Sequence, residues 1–310
     1  MRIAIFGAGG LGGYYGARLV QAGNDVSFIA RGMHLAAIRE QGLKILSPLG
    51  DAHLEGLHIS DDPADIGPVE AVIVAVKTWQ IPEVARAMAP LLDERTVVVP
   101  YLNGVEAADG LAAVIGEEHV VGGLSKVFAM VESPGVIRHF HTEAHVEMGE
   151  LGGGVSDRIH ALCTVFEDAG VGSSASADIR SALWKKLLMV ASWSGLGALA
   201  GSPMGVMRGD PQIRALVDQS MDEGIAVGQA RGHAVDAAFK EELWAFYEAM
   251  PESATSSMMR DILAGRPSEL DAWNGAIVRF GIETGVVTPV QHMTYHLLKP
   301  MEDRARAAAG

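Results

Sequence analysis

Gly7-Ala8-Gly9-Gly10-Leu11-Gly12 forms a G-x-G-x-x-G pattern directly after an apolar run and at the start of a helical pattern. In that setting the first glycine permits a tight turn and the second lets the backbone approach a pyrophosphate. The third lets the helix pack closely on the strand. The helix N-terminal amides of Gly10, Leu11 and Gly12 then face the diphosphate charge. The pattern predicts dinucleotide binding; the alternative is a structural turn that has lost its ligand. The next β-rich run ends Phe28-Ile29-Ala30-Arg31. This places a cation where a NAD-specific site usually carries the carboxylate that holds the ribose 2′-hydroxyl. A guanidinium can instead pair with a 2′-phosphate in a bidentate fork. NADP(H) is therefore the favoured cofactor, the alternative being an Arg31 that only points into solvent.

Further polar groups fall where parallel strands end, which is where open α/β sheets bind their ligands. Lys77 follows the run Ala71–Val76, and Asn103 follows Thr96–Tyr101. Lys77 could reach the adenylate phosphates or be a solvated loop lysine. Asn103 could hydrogen-bond a substrate or the nicotinamide ribose, although Asn-Gly is also an ordinary turn sequence. In the second half, Lys186 borders an uncharged stretch. Desolvation there would lower its pKa and make it a better proton donor; read blandly, Lys185-Lys186 is a solvated helix face. Ser256-Ser257 and Glu269 belong to another polar cluster, and Glu269 by default would only stabilise a helix start.

These residues need a scaffold, and the hydrophobic pattern supplies one. Ile3–Phe6, Val26–Ile29, Ala71–Val76 and Thr96–Val99 are near-continuous apolar runs, as expected of strands covered on both faces. They alternate with helical patterns, which implies βαβ units and a parallel sheet. Leu43–Leu46 and His53–Ile59 look like a hairpin, and strands are expected near Val120–Gly122, Val136–His139 and Ala144–Met148. From about Asp178 the pattern is helical only. Asp210-Pro211 is a cap followed by an N1 proline, and Gly232 closes that helix. Ser268 with Asp271 resembles a capping box, and Thr288-Pro289 opens a last helix whose tail, Arg304–Gly310, should fray. The expectation is an α/β protein with two domains, a Rossmann-type NADP-binding domain over 1–177 and an all-helical substrate and catalytic domain over 178–310.

Composition narrows the function classes. The 310 residues are 49% hydrophobic and 20% charged, enough to bury a core. With 38 acidic and 24 basic side chains the net charge is −14, the wrong balance for nucleic acid. The one cysteine, Cys163, excludes an intrachain disulfide and fits a reducing compartment. The eleven histidines show no ligand arrangement and receive no role. Leu187 to Met207 carries no charge and could in length span a bilayer. Its glycines, serines and proline favour a buried helix followed by a loop, so a soluble, cytoplasmic protein without membrane partners is expected. The Met-rich helical half would suit a homodimer interface, and ordinary core packing accounts for it equally.

In combination the residues resemble the ketopantoate reductases (2-dehydropantoate 2-reductases) over nearly the whole chain. The elements occur in order: Gly7-x-Gly9-x-x-Gly12, Arg31-Gly32, Val76-Lys77, Leu102-Asn103-Gly104-Val105, Trp184-x-Lys186-Leu187, Ser256-Ser257-Met258, Asp261-Ile262, Gly265-Arg266, Glu269, Asp271, Asn274-Gly275 and Thr288-Pro289. The resemblance implies a Rossmann domain, a helical domain of the 6-phosphogluconate-dehydrogenase type and a site in the cleft between them. It implies NADPH-dependent reduction of 2-dehydropantoate at its C2 ketone, a step of pantothenate biosynthesis. In that reading Lys186 is the general acid and Glu269 assists near the reacting carbonyl. Ser257 binds the substrate carboxylate, Asn103 is an active-site asparagine, and Arg31 and Lys77 surround the 2′-phosphate. Two positions depart from the pattern. Where the family commonly has substrate-binding asparagines four and eight residues after the lysine, this chain has Val190 and Ser194. That departure implies, as an alternative, a paralogue acting on a different, more apolar 2-oxo acid or ketone.

Overall fold

In the computed structural model, which describes residues 1–309, the chain divides into two units. One comprises 1–102 and 107–180, the other 103–106 and 181 onward.

The first unit runs β1 (Arg2–Phe6), α1 (Gly10–Gln21), β2 (Asp25–Ile29), α2 (Gly32–Gln41), β3 (Leu43–Leu46), β4 (Ala52–Leu54), β5 (His58–Ser60), β6 (Ala71–Val74), α3 (Ile81–Ala87) and β7 (Val97–Pro100). It continues with α4 (Ala107–Ile115), β8 (Val121–Ser133), β9 (Val136–Glu150), α5 (Asp157–Asp168) and β10 (Gly172–Ala175). Strands β5-β2-β1-β6-β7 lie side by side in one parallel sheet, with Ile5 opposite Phe28 and Ile73. Successive side chains of a strand alternate faces. Ile3 and Ile5 accordingly join one apolar cluster with Phe28 and Leu19, while Ala4 and Phe6 join another with Val72, Val74 and Val98. Both faces are buried, which is why these strands read as continuous apolar runs.

A second sheet, β10-β9-β3-β4 with β8 paired antiparallel to β9, closes the first cluster through Ile45, Ile137, Val146 and Met148. Two expectations need correcting here. His53–Ile59 is not one hairpin arm: Ala52–Leu54 pairs with β3, whereas His58–Ser60 joins the parallel sheet beside β2. Gly56, at φ +66°, turns the chain between them. The three expected short strands after residue 120 are two long ones, β8 and β9, joined by a tight turn at Gly135, φ +80°.

The second unit is helical: α6 (Ile179–Ala200, entering from the first unit), α7 (Met204–Gly209), α8 (Pro211–Ala230), α9 (Phe239–Ala249), α10 (Ser257–Leu263), α11 (Ala276–Thr284) and α12 (Pro289–Ala309). Its core gathers Trp184, Leu187 and Leu188 of α6 with Met221 of α8, Tyr247 of α9, Trp273 and Ile277. The uncharged stretch after Lys186 is therefore mostly buried by neighbouring helices as far as Ala198, with Leu199 to Gly201 and Val206 exposed, and no described helix is long and apolar enough to cross a membrane. Its last residues, from Met204, enter the short helix α7 where a loop was expected. Asp210 caps α8, its carboxylate accepting from the amides of Gln212 and Ile213. Buried Glu223 accepts from the amides of Val290 and Gln291 at the start of α12, each at 2.9 Å.

The second unit brings two further corrections. Ser268 and Asp271 do not form a capping box. Ser268 is instead bound by Glu302, and a π-helical turn, Asp271–Gly275, leads into α11. Arg304 to Ala309 continues α12 rather than fraying, with Arg306 paired to Glu302 at 2.6 Å; Gly310 lies outside the described residues.

Candidate active site

The glycine pattern forms the turn between β1 and α1. Gly7 has φ +103°, and a Cβ there would stand 2.7 Å from the carbonyl oxygen of Ala75. A Cβ on Gly12 would lie 2.0 Å from the oxygen of Gly7, so α1 can approach β1 this closely only with glycine. At Gly10 the obstruction is the Ala129 carbonyl of β8, 2.4 Å away. Gly9 differs, because a Cβ there meets nothing within 4 Å. Gly9 is the residue before α1 and has no side chain to cap the first-turn amides, and that turn carries no acidic residue. Open space over Gly9, uncapped amides of Gly10, Leu11 and Gly12, and a positive helix end together fit the diphosphate of a dinucleotide.

Two cations flank the turn because β2 and β6 flank β1 in the sheet. Arg31 follows β2 at the start of α2 and is ion-paired to Glu83 of α3 at 2.8 Å, both side chains being 56% exposed. Lys77 follows β6, exposed, its ammonium 5.8 Å from the centroid of the Trp79 ring. The carboxyl ends of three adjacent strands thus carry the glycine turn and the two residues expected around a 2′-phosphate.

Sequence reasoning missed one residue that braces the glycine turn. The half-buried His34 on α2 accepts a hydrogen bond at Nδ1 from the Gly135 amide (3.1 Å), which leaves Nε2 to donate to the Ala8 carbonyl at 2.8 Å. It ties the glycine turn to the β8–β9 turn in its neutral tautomer. Burial holds its pKa below the ordinary histidine value, partly opposed by the bond to Ala8. No local pattern announces such a role, because both partners are backbone groups of distant segments.

In the second unit, Lys186 lies half-buried on α6, and Val190 and Ser194 follow it at four-residue intervals. That spacing aligns the three on one stripe of the helix. Val190 is half-buried and Ser194 fully buried, and the Ser194 hydroxyl donates back to the Val190 carbonyl. Its one donor is spent within the helix. Ser257 is the first residue of α10, half-buried, beside Ser256, whose hydroxyl oxygen accepts from the Met259 amide at 3.1 Å.

Glu269 is only 5% exposed and accepts a hydrogen bond from the Asn103 side-chain amide at 3.3 Å. The short segment 103–106 that carries Asn103 is held by Arg279 of α11, which binds Glu106 at 2.7 Å, and by Val105 packed on the helical core. A buried carboxyl group bonded to an amide, and a lysine bordering an apolar helix segment, are the components of proton-transfer chemistry at a carbonyl.

The family model described as "Ketopantoate reductase PanE/ApbA" matches residues 3–153, and that described as "Ketopantoate reductase PanE/ApbA C terminal" matches 178–302. The chain belongs to the ketopantoate reductase family. Among curated relatives, a 2-dehydropantoate 2-reductase of Mesorhizobium japonicum is 31% identical, covering 93% of this chain and 94% of its own. An uncharacterized oxidoreductase of Bacillus subtilis is 29% identical over 97% and 99% of the two chains. A solved ketopantoate reductase of this family from Ralstonia eutropha JMP134 superposes with a TM-score of 0.91 at 30% identity, over 99% of this chain and 100% of the other. D-mandelate dehydrogenase in a ternary structure with NADH and anilino(oxo)acetate superposes with a TM-score of 0.89 at 25% identity, over 99% of both chains. The family places the chain among Rossmann-type oxidoreductases, with a parallel-sheet N-terminal domain and a helical C-terminal domain.

Proposed function

We propose that the protein reduces the C2 ketone of 2-dehydropantoate to the alcohol of pantoate, with NADPH as reductant. The observation that supports this most directly is the hydrogen bond between Asn103 and Glu269. Those two residues, far apart in sequence, are the ones the family pattern assigns to a single site. When bound, the reduced nicotinamide supplies the hydride. The amides of Gly10, Leu11 and Gly12, with Arg31 and Lys77, would hold the diphosphate and 2′-phosphate. The Arg31–Glu83 pair is exposed, and such pairs are worth only ~0–1 kcal/mol, so a phosphate can take the guanidinium at little cost.

The residues of the second unit carry the remaining steps. Ser257, with backbone amides, orients the substrate carboxylate so that one face of the ketone is presented for reaction. As negative charge develops on the ketone oxygen, the Lys186 ammonium stabilises it and delivers the proton to that oxygen. Asn103 and Glu269, bonded to each other, hold the polar wall beside the carbonyl. The test is oxidation of NADPH, followed by its absorbance, with a panel of 2-oxo acids. Turnover of 2-dehydropantoate at least as efficient as that of any other acid is expected; negligible turnover beside good turnover of another acid rejects this substrate.

A second reading is favoured by Val190 and Ser194. With a valine at one position and a serine hydroxyl bonded inward at the other, this stripe of α6 offers the distal end of a substrate little to hydrogen-bond. A site that lacks partners for a hydroxyl loses its selectivity for it. In that reading the substrate is a 2-oxo acid with a more apolar tail, and the same panel would show it as the preferred acid.

A further inference from the structure

Glu302 of α12 lies outside every motif, yet its side chain is 1% exposed and is held between two neighbours, Ser268 and Arg306. Its carboxylate accepts from the Ser268 amide at 2.9 and 3.1 Å and from the Ser268 hydroxyl at 2.5 Å. Arg306, one helical turn on, is ion-paired to the same carboxylate at 2.6 Å and donates to the Ser268 carbonyl at 2.9 Å. The Ser268 hydroxyl oxygen in turn accepts from the Leu270 amide at 3.3 Å. Amide, hydroxyl and carbonyl of one serine are thus all held by one Glu–Arg pair on the last helix.

The residue immediately after that serine is Glu269, whose carbonyl accepts from the Trp273 amide at 3.1 Å at the entry to the π-helical turn. An unsupported backbone there could rotate the carboxyl group away from Asn103. Burying the Glu302 carboxylate is costly, and its pairing with the half-exposed Arg306 does not by itself add stability over apolar packing. What the arrangement supplies is a fixed backbone. We propose that Glu302, with Arg306, is the positioning residue for Glu269: it clamps Ser268 so that the neighbouring carboxyl group is held at Asn103 in the geometry the reduction needs. The inference rests on the proposed role of Glu269, and it assigns Glu302 no contact with substrate or cofactor.

The test is a double-mutant cycle on the full-length protein. Glu302→Gln keeps the side-chain volume but turns an amide NH2 towards the serine donors and removes the charge facing Arg306. It should lower kcat by roughly 10- to 100-fold, the scale of a misplacement of about 1 Å, with the KM for NADPH unchanged. In a Glu269→Gln background the same substitution should have almost no further effect on kcat, because the group it positions is already disabled. Ser268→Ala is the milder variant, for use if Glu302→Gln fails to fold, and should reproduce the pattern with a smaller loss. Equal losses in both backgrounds, or wild-type kcat per folded molecule with only a lower Tm, would overturn the proposal. Hydrogen exchange separates this from failure of the functional reading. Should the wild type reduce no 2-oxo acid, faster exchange at the amides of 268–275 in Glu302→Gln still supports the clamp, and unchanged exchange there refutes it.

Discussion

Gly9 and Gly12 look alike in the motif, and the structure predicts opposite consequences for replacing each with alanine. At Gly12 the new methyl carbon would lie 2.0 Å from the Gly7 oxygen and 2.9 Å from the Ala75 Cβ, both backed by the parallel sheet. Alanine is favoured over glycine within a helix by about 1 kcal/mol, but overpacking of this kind costs about 1–3 kcal/mol or more. Because the 2.0 Å contact is to a backbone atom, the cost sits at or above the upper end of that range. The net effect is a loss of about 2 kcal/mol or more, seen as a lower Tm of the cofactor-free protein. At Gly9 the backbone is extended (φ −68°, ψ −164°) and the methyl meets no protein atom. The lower unfolded-chain entropy of alanine is worth ~0.4–1 kcal/mol and roughly offsets a poorer helix cap, so Tm should hardly move. The space it fills is the space a pyrophosphate needs. Losing one or two charge-assisted bonds to the amides, at about 1.5–3 kcal/mol each, should weaken NADPH binding by at least about tenfold. Calorimetric Tm and titration of NADPH fluorescence on both variants decide the matter. Gly9→Ala binding NADPH with wild-type affinity would refute the reading of this turn as the phosphate cradle.

Three further outcomes are expected. Arg31→Ala should weaken NADPH far more than NADH in direct titrations, and Glu83→Gln, which releases Arg31 from its pair, should tighten NADPH a fewfold; equal losses for the two cofactors in Arg31→Ala would contradict the 2′-phosphate assignment. His34 titrates below its unfolded value because burial disfavours its charged form. The folded state therefore binds fewer protons near that pKa, and its stability contribution is present above about pH 6.5 and lost as pH falls through the folded pKa. His139 is shifted the same way, so the measurement is the difference in Tm against pH between wild type and His34→Gln, which should be flatter on the acid side. Val190→Asn should raise kcat/KM for 2-dehydropantoate relative to an apolar 2-oxo acid by roughly 10-fold or more; an unchanged ratio would remove Val190 from the substrate wall.

The parallel sheet was readable because burial on both faces demands continuous apolar runs, and the α8 cap because Asp210-Pro211 acts on amides two and three residues away. The readings that failed depended on distant partners. Ser268 and Asp271 have capping-box spacing, but Glu302, on the last helix, takes the serine. His53–Ile59 has strand-like residues on either side of Glu55-Gly56, and the turn at Gly56 together with the free edge of β2 decides that its two halves join different sheets. The site divides in the same way. The glycine turn and Arg31 are local signals tied to strand ends. Asn103 and Glu269 were linked through family resemblance alone, since nothing in their spacing brings them together. His34 binds backbone groups of two remote segments and Glu302 binds a serine 34 residues away, and such roles leave no trace in residue spacing.

The central chemical claim is that Lys186 protonates the ketone oxygen during reduction. Single-turnover absorbance measurements with Lys186→Ala, saturated with NADPH and a 2-oxo acid that the wild type reduces, test it most directly. The rate should fall by about 10²- to 10⁴-fold, the usual contribution of a general acid, while the Kd for NADPH stays within about twofold of wild type. Reduction at the wild-type rate in that variant would contradict the account.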